Sequence, residues 1–110
     1  MANIRRYTSP TQELIVEGID LTNAEIYVSY RQKCVSLVFS GDDLQVEAVT
    51  EDERTDTKIS VHMSQEMTAK FRADEDVEVQ VNWILDGQRN ATIIAKFGIQ
   101  RNLLEAVIES

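Results

Sequence analysis

Residues Asp76 to Gln100 read DVEVQVNWILDGQRNATIIAKFGIQ, and this stretch decides the fold. Val77, Val79, Val81 and Trp83 alternate with Glu78, Gln80 and Asn82, the two-residue period of a strand with one buried face. Ala91, Ile93, Ala95 and Phe97 alternate with Thr92, Ile94 and Lys96, although Ile94 puts a large apolar group on the polar side. Asp86-Gly87 lies between the two runs and is the strongest turn dipeptide in the chain. A two-residue loop there sets Trp83 opposite Asn90 and Val81 opposite Thr92, which mixes valines with polar residues on one face. A three-residue loop, Leu85-Asp86-Gly87, sets Val81 against Ala91, Val79 against Ile93 and Val77 against Ala95. Glycine then takes the left-handed position of a G1 bulge. The expectation is a hairpin with that three-residue loop.

Working outward, the same alternation recurs. Met1 to Pro10 reads as an arm or short edge strand anchored by Ile4 and Tyr7, since Pro10 fits only an edge or a turn. Glu13 to Glu17 is a short strand with Leu14 and Val16 inward, followed by a turn region from Gly18 to Ala24. In Glu25 to Arg31, Ile26, Val28 and Tyr30 face one way, with Cys34 to Ser40 as the partner strand. A two-residue loop at Gln32-Lys33 pairs Tyr30 with Val35, Val28 with Leu37 and Ile26 with Phe39. Leu44, Val46 and Ala48 mark the next strand. Glu51 to Asp56 (EDERTD) has no apolar residue and reads as a solvated loop. Ile59, Val61 and Met63 resume the pattern. Ser64 is a helix N-cap, with Met67 and Phe71 on one face of a two-turn helix. Residues 101–110 (RNLLEAVIES) fit a helix or an edge strand equally. About seven strands joined by short turns predict an all-β chain: an antiparallel, immunoglobulin-like β-sandwich with one short helix, with a small partly open barrel as the alternative.

A chain of 110 residues corresponds to one domain, residues 1–110, with a single modest core. Hydrophobic residues at 43% and charged residues at 27% are a globular rather than a disordered balance. No apolar run reaches the roughly 18 residues that span a bilayer, so no membrane role is expected. MANIRRYTSPTQ lacks the apolar centre of a secretory signal, so the expected place of synthesis is a cytoplasm. The net charge of −8 repels phosphate backbones, and no basic stripe offsets it; nucleic acid is not an expected partner.

Chemistry-bearing residues are few. His62 is the only histidine, between Val61 and Met63, and points to the polar face without a recognisable nucleophile or orienting carboxylate. Cys34 is the only cysteine, which excludes an intrachain disulfide and Cys/His metal sets. The acidic clusters Asp42-Asp43, Glu51-Asp52-Glu53 and Asp74, Asp76, Glu78 form no calcium loop of alternating carboxylates, and they also suit solvated, aggregation-resistant loops. No spacing singles out a catalytic pair among the 19 acidic residues. No catalytic residue, cofactor or metal ligand is therefore nominated. Trp83 is a core anchor near the loop end or part of a contact patch. Tyr7, Tyr27 and Ile94 fall off the expected core face and, with Trp83, are the candidates for a partner surface.

Five segments in a shared order carry a resemblance: Ile4–Thr11, Asp20–Gln32, Ser64–Phe71, Val77–Trp83 and Asn102–Ile108. Their layout resembles small structural proteins from tail and baseplate gene clusters of phages and prophages of Gram-positive gut bacteria. More distantly it is similar to the N-terminal β-domain of phage baseplate upper proteins. The resemblance implies a β-sandwich virion component, made in a bacterial host, with no catalytic residues to carry over. Its expected partners are other virion proteins and further copies of itself. The acidic loop Glu51 to Asp56 departs from the group by its length. The rival expectation is a stand-alone carbohydrate- or cell-surface-binding module using Trp83, Tyr27 and the acidic loops, assisted by calcium.

Overall fold

The structure is a computed structural model and describes residues 3–92 and 94–108. The chain is all-β apart from one short helix. In order the elements are β1 (Ile4–Arg5), β2 (Thr11–Val16), β3 (Glu25–Gln32), β4 (Val35–Ser40), a 3₁₀ turn (Gly41–Asp43), β5 (Leu44–Glu51), β6 (Arg54–His62), α1 (Gln65–Ala69), β7 (Asp76–Leu85), β8 (Gln88–Ala91) and β9 (Ala95–Gln100). A six-stranded sheet runs β1-β9-β7-β3-β4, with β8 also paired to β7; a three-stranded sheet runs β2-β6-β5. The described strands thus number nine rather than the expected seven.

Alternation places the core as expected. Ile26, Val28 and Tyr30 of β3, Ile59 and Val61 of β6, and Val77, Val79, Val81 and Trp83 of β7 are all buried in one cluster fed by both sheets. Tyr30 is its centre. Its ring meets Phe39 and Phe97 edge-on, at 5.6 and 5.9 Å between centroids. Its hydroxyl donates to Gln12 Oε1 on β2 at 2.8 Å, so the larger sheet is also hydrogen-bonded to the smaller through the core. Burial pushes the Tyr30 phenol well above its ordinary pKa, which keeps it a neutral donor.

Buried polar side chains tie the connections down. Thr57 Oγ1 donates to the carbonyl of Ile19 at 2.7 Å and accepts from the N–H of Leu21 at 2.8 Å, fixing the Gly18–Ala24 turn. Thr68 Oγ1 does the same for the N-terminal arm through the carbonyl and N–H of Thr8. Gln32 Nε2 donates to the carbonyls of Arg72 and Glu75, and its Oε1 accepts from Arg72 N–H at 2.6 Å. Ser64 caps α1 as expected, accepting from Met67 N–H at 3.2 Å.

Four expectations are corrected. The Asp86-Gly87 loop has two residues, not three: Leu85 pairs with Gln88 and Trp83 with Asn90. Asp86 and Gly87 both have positive φ, +52° and +76°, as a type I′ turn requires. The parity objection fails because β8 is exposed throughout and has no buried face to match. The offset is absorbed later. Ala91 faces Asn82 and Ala95 faces Val79, so three steps along β7 answer four on the return. The extra residue forms a bulge. There Thr92 N–H donates to the Val81 carbonyl at 2.9 Å and Thr92 Oγ1 accepts from Val81 N–H at 3.1 Å. Val79 therefore faces Ala95 and Val77 faces Phe97; the expected partner of Val79, Ile93, lies outside the described residues.

The second correction is smaller. The β3–β4 loop is Lys33-Cys34, with Tyr30 opposite Leu37 and Val28 opposite Phe39, a two-residue slide that keeps the same face inward. Third, Glu51 to Asp56 is not a loop. Glu51 pairs with Arg54, and Asp52-Glu53 is a two-residue turn with φ of +51° and +63°. Residues Glu47 to Arg54 are all exposed, so this hairpin end stands clear of the core. Fourth, pairing is not wholly antiparallel: β1 joins β9 in parallel, Ile4 opposite Ile99. No crossover is needed when the two strands come from opposite ends of the described chain. Residues 101–108 form neither helix nor strand.

Candidate contact surface

The inward side of β3, β4 and β7 fills the core, so their other face is left to solvent. It carries Glu25, Tyr27, Ser29 and Arg31 of β3, Ser36, Val38 and Ser40 of β4, and Glu78, Gln80, Asn82 and Ile84 of β7. Pairing brings particular members together: Tyr27 stands between Asn82 and Ser40, Ser29 between Gln80 and Val38, and Glu25 beside Ile84. The result is an open depression of about 400 Å³ lined by Tyr27, Ser29, Val38, Asn82, Trp83, Ile84 and Arg89. Val38 is 59% exposed, and Tyr27 and Ile84 are each 38% exposed. Arg89 extends from β8 to Asn82 Oδ1 at 3.4 Å, and the Tyr27 hydroxyl donates to Glu25 Oε2 at 3.3 Å. Three apolar side chains with a polar rim on hydrogen-bonded backbone make a rigid, weakly concave platform.

The nominated residues divide. Tyr27 and Trp83 line this depression together. Trp83, however, is only 8% exposed, and among the described residues its buried indole N–H meets no acceptor. It supports the platform from beneath as a core anchor. Tyr7 is half-buried beyond β1, at the far end of the sheet order, with the Arg6 guanidinium 5.3 Å over its ring. Ile94 is 52% exposed beside the β8–β9 bulge. Val38 and Ile84 were not nominated. The signal was present: each is the off-face member of its strand, between Leu37 and Phe39 and after Trp83.

Other polar groups are engaged structurally. His62 Nδ1 lies 3.0 Å from Thr11 Oγ1 on the neighbouring strand. Cys34 is exposed in the β3–β4 turn. The Lys33 ammonium, 2.8 Å from Glu75 Oε1, holds that carboxyl below its ordinary range. Arg54, followed by the Gly18 N–H, does the same for Asp56. The Thr22 hydroxyl and N–H do so for Asp20. Among the described residues no three His, Cys, Asp or Glu side chains are grouped to hold a metal ion, and no helix is long and apolar enough to cross a membrane.

Compared with protein-family models, with curated proteins and with solved structures, the chain matches none of them.

Proposed function

We propose that this chain is a non-enzymatic structural module that works by protein–protein contact through the outer face of its larger sheet, as a tail, baseplate or neck component of a phage or prophage particle. The exposed Tyr27, Val38 and Ile84 on a rigid face carry the contact part of this reading, because apolar groups presented on fixed backbone bind at low entropic cost. The particle assignment draws on the sequence resemblance. We read the two sheets sharing one core as an immunoglobulin-like sandwich in which an added parallel strand, β1, extends one edge.

The competing carbohydrate- or cell-surface-binding module has less support. Trp83, its main stacking platform, is turned into the core. Mass spectrometry of particles purified after prophage induction tests the preferred reading: the chain is expected at stoichiometric levels. Its absence from particles, together with a melting temperature raised several degrees by calcium, would transfer the assignment to the competitor.

A further inference from the structure

Among the described residues the two sheets expose five outer strands: β1, β4 and the four-residue β8, which carries Arg89, in the larger, and β2 and β5 in the smaller. Open strand edges invite pairing, and chains blunt them with charge, proline or shortness. β1 is two residues long and includes Arg5. β2 follows Pro10 and carries Glu13; β5 carries Glu47 and Glu51. β4 has none of these devices. Its six residues, Val35-Ser36-Leu37-Val38-Phe39-Ser40, contain no charge and no proline. On a chain of net charge −8, an undefended neutral edge is the place where a second acidic molecule can approach.

The flanks of β4 say which molecule and in which direction. Arg31 and Lys33 precede it and are exposed; Asp42 and Asp43 follow it and are exposed. Antiparallel pairing of two β4 strands centred on Val38, each Val38 opposite its copy, keeps the outer faces on one side and sets the basic turn of each copy beside the acidic turn of the other. Parallel pairing sets like charges together. We propose that β4 docks a second copy of this chain antiparallel across a two-fold axis, fusing the two larger sheets and bringing the two Tyr27–Val38–Ile84 patches side by side. The inference rests on the contact-module reading and names its partner. A weak dimer is expected, with a Kd on the order of 10 µM, since edge pairing buries little area.

Sedimentation velocity on the Cys34→Ser chain from about 1 to 100 µM should show a reversible dimer that weakens as salt is raised. Val38→Lys, at an exposed position, should leave the melting temperature within about 2 °C of the parent. It should raise the dimer Kd at least about tenfold. Asp42→Lys with Asp43→Lys should weaken association likewise. Val38→Cys in the Cys34→Ser background should cross-link on mild oxidation, whereas Cys34 of the native chain, which lies opposite Asp42 of the other copy, should not. A species of monomer mass across the whole range, or a dimer indifferent to Val38→Lys, overturns self-pairing. A monomer that is nonetheless found in particles sinks only this inference; a β4 dimer absent from particles sinks only the virion assignment.

Discussion

β7 is one strand with two different partners. Its first half, Asp76 to Val79, pairs with β9, and there the buried Val77 faces the buried Phe97. Its second half, Asn82 to Leu85, pairs with β8, and there the buried Trp83 faces the exposed Asn90. Both halves of β7 alternate equally well. They differ in whether the partner strand has apolar side chains to hide. Where it does, burial sets the register. Where it does not, turn chemistry sets it, and Asp86-Gly87 closes the tight two-residue loop that its backbone preferences favour. The bulge around Thr92 is where the two rules meet.

The sharpest way to break this contrast is to remove a side chain from each half. Phe97→Ala takes away a ring 5.9 Å from Tyr30 at the centre of the core and is expected to cost about 3–5 kcal/mol in urea unfolding. Asn90→Ala, opposite Trp83, should change stability by less than about 0.5 kcal/mol. Equal costs would show that β8 contributes to the core after all. A middle-sized effect belongs to the turns. Gly87→Ala places a side chain at φ +76° and should lose roughly 1 kcal/mol. Glu53→Gly, in the glycine-free turn at φ +63°, should gain up to about 1 kcal/mol.

The smallest effect is electrostatic and centres on Asp56 of β6. Asp56 has its folded pKa lowered by Arg54 and by the Gly18 N–H. Its contribution to stability is therefore present above the unfolded pKa and fades as pH falls through the folded one. Urea midpoints measured from about pH 7 to pH 3 should decline, and Asp56→Asn should remove a modest part of that decline below about pH 4. An unchanged slope in the variant would mean that the Arg54–Asp56 pair is fully solvated.

How much of this was legible follows from the same contrast. Every inward residue read from alternation in β3 and β7 is buried, as are Ile59, Val61 and Met63, because a period of two is enforced wherever one face meets a core. The Ser64 cap was legible because it is a local hydrogen bond. Three features were not. EDERTD has no apolar residue, yet it forms a hairpin end, because backbone pairing with exposed side chains leaves no hydropathy signature. The parallel β1–β9 pair joins segments whose proximity no local pattern encodes. The contact surface was half legible. Tyr27 was readable as an off-face aromatic; Val38 and Ile84 carry the same off-face signal, but their apolar neighbours on both sides or before them mask it.

The parallel pair has a consequence for biosynthesis. Asn3 Oδ1 accepts from the N–H of Gly98, 95 positions away, and Asn102 Nδ2 donates to the Arg6 carbonyl. The first described strand must therefore wait, without its strand partner, until β9 has left the ribosome. Closure of such a long loop comes late and slowly. Until β9 emerges, the segment around Ile4 has only its own side chains to shield it, an interval in which a chaperone could hold it.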